Sequence, residues 1–405
     1  MRKDKGVGPK QIRLWDESIE NPFLEENRRR FDISRNERLL IGLAAALVVL
    51  MVAAVLLRYD FLHKPVSAAR YFSVVASRME ELWRLLTGGG STNAADYSVY
   101  TIVIVAIVGA CLAVCGAVCQ SVYHTPMASP SMLGIQSGGM VAAVLFLFFC
   151  REDAEIMEYY TYAEYSDYLS SLSFYELYAQ QIWMVIGCLA GALMVIAIST
   201  RAGRGKMSSV VLIISGSLFG SFAGTIVSLG QYYFTYVDTT TARTYALMAI
   251  ASGTFANTYS FIHLLMLAIP ALMCMGALFA LSPGLNVLMF GDAEARSMGM
   301  NVRRFRTIVF VLCVIPSAVI LSFCGQISFV GLVIPHFARQ MAGSDHRRML
   351  PVCALLGAVA MVLVYTAALC TGYTTSINLI TSLVGGVLFL VFMLKFRRSR
   401  NADWA

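Results

Sequence analysis

Ten runs of apolar residues, most of them close to the ~20 residues that a helix needs to cross a hydrocarbon core about 30 Å thick, set the terms on which this chain can fold. They lie near 39 to 57, 98 to 120, 131 to 150, 182 to 200, 208 to 230, 261 to 281, 307 to 323, 327 to 341, 350 to 370 and 376 to 396. Segments of this kind have no place on a water-soluble surface. The reading is an all-α integral membrane protein of ten transmembrane helices, occupying 39 to 396 of the 405 residues. With 58% apolar and only 14% charged residues, little is left over for a soluble unit, and a fused catalytic domain is excluded.

An even number of spans puts both termini on one side, and basic residues decide which. With cytoplasmic termini, the inner segments hold 24 of the 31 Lys and Arg residues. The outer segments keep Arg58, Lys64, Arg70, Arg78, Arg84, Arg151 and Arg243. That asymmetry gives cytoplasmic tails at 1 to 38 and 397 to 405. It also disposes of a nucleic-acid reading of the +7 net charge, because the cations flank apolar runs instead of forming a stripe. Two outer loops are long. Residues 58 to 97 are mixed polar, while 151 to 181 carry seven acids against one Arg and are rich in Tyr, which suits either a loop lying at the membrane interface or a solvated connector. The first apolar run follows a long charged leader and reads as a retained span, not a cleaved signal.

Ionisable groups are nearly missing from the spans: besides Lys395 at the inner end of the last run, His263, His336 and Arg339 are the ones present, and no Asp or Glu is among them. A carrier driven by protons or sodium usually needs a carboxylate near the midplane. A phosphate-binding loop is excluded too, since Gly205-Lys206 runs into Met207 without the preceding glycine. Cys111, Cys115 and Cys119 share one helix face; buried packing is the ordinary reading, a soft-metal site the alternative.

Small residues at four-residue spacing signal close helix approach: Gly134 and Gly138 in the third run, Gly187 and Gly191 in the fourth, Gly216, Gly220 and Gly224 in the fifth. In the fifth they serve equally as a smooth pathway wall. Pro126 and Pro130 make a short inner turn between the second and third spans. Between the sixth and seventh lies a polar stretch, 282 to 306. Within it Asp292 opens a short amphipathic segment suited to lying along the inner surface or docking into a partner.

The segments GAVCQSVYHTPMASPSMLGIQSGG (116 to 139), LNVLMFGDAEARSMGMNVRRFR, GQISFVGLVIPHFARQMAGSDHRRMLP (325 to 351) and INLITSLVGGVLFLVFMLK (377 to 395) resemble the membrane subunits of type II ABC importers, the FecCD-type permeases. The resemblance covers nearly everything from Val99 onward. It implies a permease that imports an iron-siderophore, haem or cobalamin and pairs with a second copy or paralogue. Two ATPase subunits, which carry the ATP and Mg, bind below, and an external binding protein docks above; the permease itself is not an enzyme and binds no cofactor. Gly291, Asp292, Glu294, Ala295, Arg296, Ser297, Met298 and Gly299 match the loop that inserts into the ATPase. Ser215, Gly216, Gly220 and Gly224, with Asn378, Ser382 and Gly385, fall on the helices similar to the family's pathway-lining ones.

Some positions depart from the family pattern. Thr125 and Ser129 stand where the turn usually carries Asn and Asp, Gly325-Gln326 replaces Gly-Pro, and Ile377-Asn378-Leu379 replaces Glu-Leu-Pro. Ser98 and Thr101 occupy the sites of an arginine pair that normally meets acids on the binding protein. Steering of an acidic partner then falls to other outer cations, Arg84 and Arg243 first.

Overall fold

In the computed structural model the described residues are 94–149, 174–202, 209–237, 241–255, 261–371 and 377–398, with a few positions between 38 and 50. All regular structure among them is helical. The elements are α1 (Ala94–Val122), a 3-10 turn (Pro130–Leu133), α2 (Ile135–Phe149), α3 (Phe174–Ala202), α4 (Ser209–Tyr236), α5 (Thr241–Ser252) and α6 (Phe261–Ala280). Then come α7 (Ser282–Leu288), α8 (Asp292–Ser297), α9 (Val302–Cys324), α10 (Val330–Ala342), α11 (His346–Thr371) and α12 (Ile377–Arg398).

Six stretches among the described residues are long and apolar enough to cross a membrane: Tyr100–Val122, Tyr178–Ala202, Val211–Tyr236, Phe261–Ala280, Val302–Cys324 and His346–Ala368. Ile135–Phe149 and Ile377–Leu390 are shorter apolar helices. The run expected at 39 to 57 falls mostly outside the described residues, as do Arg84 and the loop 58 to 97 almost entirely. Three expectations change. The run at 327 to 341 becomes α10, 13 residues long, roughly 20 Å at 1.5 Å per residue, and so too short to span alone. The last part of the expected outer loop 151 to 181 is helical, because α3 begins at Phe174. A helix that the apolar runs did not disclose, α5, follows α4.

Helix α1 is the axis of the bundle. It is apolar on all sides, with Ile102, Ile104, Val105, Val108, Ala113, Val114, Ala117 and Val118 almost wholly buried, as expected of a helix surrounded by others. It packs most extensively against α11, and also against α10, α6 and α9. Two glycines make this possible. A Cβ on Gly109 would run into the Gly357 carbonyl of α11, and one on Gly116 into the backbone of Gly331 in α10. The second contact puts the start of α10 beside the interior of α1, not at its end.

The second close pair is α2 with α3. A Cβ at Gly138 would lie 2.8 Å from the Gly191 Cα, and one at Gly187 2.7 Å from the Gly138 carbonyl oxygen. Here the spacing seen in the sequence does seat one helix on another. In α4 it does not: a Cβ at Gly220 would meet only the Ser137 hydroxyl, at 3.4 Å, and one at Gly224 would meet nothing within 4 Å. Among the described residues no helix backbone approaches Gly220 or Gly224 that closely.

Where α5 and α10 stop short, their backbone groups must find partners inside the bundle, because an unpaired amide in an apolar medium costs several kcal/mol. They find one another. The Thr254 amide donates to the Cys324 carbonyl (2.9 Å), the Gln326 amide to the Ile250 carbonyl (2.9 Å) and the Ile377 amide to the Gly253 carbonyl (3.1 Å). Gly253 and Gly325 make the reversals with φ of +67° and +71°, a region that costs other residues more. The Asn378 side chain closes the junction, donating from Nδ2 to the Ala251 carbonyl at 3.3 Å.

Placing Val at Gly116 should therefore cost at least ~2 kcal/mol through overpacking against α10, read as a fall in thermal unfolding temperature in detergent. Gly276, with nothing within 4 Å of a would-be Cβ, should accept Ala with a small gain.

Candidate translocation cavity and coupling segment

At the end of the bundle that carries α7 and α8, three segments come together: the turn after α1, and the 282 to 306 stretch and the α10–α11 connection, both assigned to the inner side by their cations. Buried His346 holds them. Its Nδ1 lies 2.7 Å from Asn286 Oδ1 and its Nε2 2.6 Å from Ser121 Oγ. The His346 backbone amide also donates to Asn286 Oδ1, at 2.9 Å. The Asn286 amide oxygen can only accept, so Nδ1 is the donor in that bond. Asn286 in turn donates to Asp345 (2.7 Å), and Arg339 donates to Ser121 Oγ (3.3 Å). α7 is thereby tied to α1 and α11. For Asp345, partial burial favours the neutral acid, but the Asn286 hydrogen bond, the Arg347 amide and the cations of Arg347 and Arg348 outweigh it and hold its carboxyl below the usual range.

α8 hangs from this scaffold by an ion pair. Arg306, in the first turns of α9, donates through both terminal nitrogens to Asp292, at 3.0 and 2.8 Å. A forked guanidinium–carboxylate pair fixes direction as well as distance. Arg306 is 11% exposed and Asp292 36%, so the pair anchors the helix on its inward side. Ala295 packs beneath it, fully buried, while Met298 is exposed. Glu294, Arg296, Ser297 and Gly299 face outward as well. Gly291 (φ +107°) and Gly299 (φ +85°) turn the chain at either end. His124 approaches Asp292 at 4.0 Å. Burial, then the Arg306 charge, push its pKa down against the pull of Asp292, so it is neutral at pH 7 and Arg306 is the carboxylate's cation.

Deeper in the bundle, between α2, α4 and the α9–α10 connection, lies a cavity of about 400 Å³. Gly216, Gly220 and Gly224 form its α4 wall. Hydroxyls of Ser129, Ser131, Ser137, Ser217 and Ser328 and the amides of Gln136 and Gln326 line it, with Met140, Val227, Phe329 and Leu332 as apolar surface. None of its lining residues is charged. Gln136 braces the far wall by donating to the Ile327 carbonyl at 3.1 Å. Pro130 opens the 3-10 turn beneath it, and Ser129 and Ser131 bond to each other at 2.7 Å.

The remaining expected positions fall elsewhere. Ser215 is buried. Asn378 supports the α5 junction, Ser382 bonds to Asn378 Oδ1 at 3.3 Å, and Gly385 receives the Phe329 side chain. Pro126 lies in the turn after α1. Arg243 is half-buried on α5, and Thr101 is fully buried within α1, so Thr101 presents no docking surface. Arg306, Gln136, Ser137 and Phe329 were not singled out from the sequence. Gln136 and Ser137 lie inside the 116 to 139 segment and Arg306 at the edge of the polar stretch, but no spacing rule assigns them a role.

Residues 50–395 match the FecCD transport family. The chain belongs to that family. The cobalamin import system permease protein BtuC of Halobacterium salinarum is 31% identical over 300 residues, 74% of this chain and 72% of the relative. The hemin transport system permease protein HmuU of Yersinia pestis is 29% identical, over 77% and 87% of the two chains. The molybdate import system permease protein MolB of Haemophilus influenzae is 28% identical, over 73% and 79%. A solved structure described as an inward-facing metal-chelate type ABC transporter aligns with a TM-score of 0.67 and 25% identity, covering 89% of this chain and 99% of that one.

Arg306→Ala removes the anchor without touching the outward face of α8. Hydrogen exchange over 292 to 300 should quicken at least tenfold, about 1.4 kcal/mol of local opening, while the exchange of α1 stays as it was. Arg306→Lys, which keeps the charge but not the fork, should fall between.

Proposed function

We propose that this chain is the membrane-spanning permease subunit of an ATP-driven importer that moves a metal chelate into the cytoplasm, an iron-siderophore in the first instance. The observation that carries the reading is α8: a short helix clamped by Asp292 and Arg306 on one side and left open along Glu294, Arg296, Ser297 and Met298 on the other. An open polar face on a braced element is what a partner ATPase could push against. Nucleotide-driven closure of two such subunits would bias the helices between packings that open the cavity inward or outward. The ATP and Mg belong to those subunits, and the permease works as a pair of copies or paralogues, fed from outside by a binding protein.

The relatives named for cobalamin and hemin import support haem or cobalamin as the second cargo reading. An uncharged cavity fits a chelate that presents amide, hydroxyl or apolar surface better than it fits a bare oxyanion such as molybdate, which would call for cationic donors. An ion-coupled carrier is the weaker alternative, since none of the six long apolar stretches contains an Asp or Glu.

Replacing Glu294 and Arg296 together by Ala should lower cargo-stimulated ATP hydrolysis and uptake by roughly fivefold or more, with membrane insertion unchanged. Undiminished stimulation in the assembled complex would remove α8 from the coupling role. For docking, charge reversal at Arg84 or Arg243 should weaken binding-protein association, and the loss should shrink as ionic strength rises; a steep salt dependence indifferent to both reversals would assign the steering to other cations.

A further inference from the structure

Two non-glycine residues among those described adopt left-handed backbone, His124 (φ +48°) and Phe329 (φ +66°). For a bulky aromatic side chain this is a conformation held against its own preference, of the kind that collects at functional sites. The surroundings of Phe329 show what holds it. The preceding connection is pinned on both flanks, by the Gln326 amide on Ile250 and by Gln136 on the Ile327 carbonyl. The Phe329 carbonyl then accepts from Leu332 (3.0 Å) and Val333 (2.9 Å) to start α10. Fixed before and after, the residue has little freedom over where its side chain goes.

That side chain stands between two things. On one side it lines the cavity, beside Ser328 and Leu332. On the other it seats on α12 at Gly385–Gly386: a Cβ on Gly385 would come within 2.9 Å of Phe329 Cγ and closer still to its Cβ, and one on Gly386 would lie 3.8 Å from the ring tip. The notch exists because both residues lack side chains. Beyond the seat, α12 is open, with Leu379, Leu383, Val384 and Val387 exposed. Any displacement of α12 therefore moves the seat of a ring that forms part of the cavity wall.

From this geometry we infer that Phe329 is the side chain that gates the cavity and sets the bulk of cargo it admits, with Gly385–Gly386 as the seat into which the ring withdraws. The inference rests on the reading of the cavity as the transport route, and the two can be tested apart. Ser217, exposed at the cavity wall, is replaced by Cys in the full importer in membrane vesicles, and its modification by a small and by a bulky thiol reagent is followed, the unsubstituted chain serving as blank. Adding Phe329→Ala should raise the bulky reagent's rate at least fivefold relative to the small one. Gly385→Ala, whose methyl presses on the Phe329 Cβ and Cγ, should lower that ratio, and combining it with Phe329→Gly, which removes both atoms, should give the behaviour of Phe329→Gly alone. Phe329→Leu gives a smaller change in the same direction and serves if the Ala variant does not fold. An unchanged ratio in folded variants, or a Gly385→Ala effect that persists without the ring, overturns the gating role and leaves Phe329 as packing. Whether a bulky adduct at Ser217→Cys stops uptake is read separately: continued uptake would mean that the cavity is not the route, whatever the ring does.

Discussion

In a bundle that sits in hydrocarbon, backbone amides and carbonyls at membrane depth have to be paired inside the protein, and this protein meets that condition where it is hardest to meet. Unbroken helices satisfy it unaided. α5 and α10 cannot, since each stops within the bundle and leaves a turn of unpaired groups. The bonds from Thr254 to Cys324, from Gln326 to Ile250 and from Ile377 to Gly253 complete one broken segment with the next. Three connections distant in sequence are locked at a single junction, and the wall of the cavity is built from it. A change in any one of them is transmitted to the other two, because the alternative is an unpaired polar group in an apolar medium.

How much of this could be read from the sequence depended on which physical signal was available. Long apolar runs report a helix in an apolar medium, so α1, α6 and α11 were legible to within four residues at their ends, while α4 runs six residues beyond its expected end. The run at 327 to 341 was legible as apolar but not as short. Composition does not tell where a helix begins, and Phe329 starts α10 from a left-handed backbone that no propensity would assign to Phe. α5 was invisible because its twelve residues include Thr241, Arg243 and Thr244 and never reach the length of a span. Glycine spacing carried half of its message. The same interval that seats α2 on α3 faces an open cavity along α4, since spacing defines a smooth face but not what lies against it.

The amphipathic segment after Asp292 was legible as an element, and its anchor was not. Asp292 and Arg306 are fourteen residues apart, beyond any helical repeat, and meet because Gly299 and Asn301 reverse the chain between α8 and α9. Asn301 does so as the N-cap of α9, accepting from the Arg304 amide at 3.1 Å. His346 is similar: a histidine at the end of a polar connection shows neither that it is buried nor that Asn286 and Ser121 saturate its ring.

The distribution of charge follows from the same solvent. Cations and acids sit at the ends of the bundle, where Asp292–Arg306 and the Asp345 cluster can pair while still touching water, and the cavity lining keeps to hydroxyls and amides. A fixed charge in the cavity would either repel a cargo or hold it strongly, because electrostatic attraction grows as the local dielectric falls. Transport requires neither outcome. A route that delivers its cargo must bind it weakly on the side of release, and groups that each contribute about 1 kcal/mol net can be exchanged for water or for one another as the helices shift. On the proposed reading the energy for direction comes from outside the cavity, through the braced, outward-facing α8.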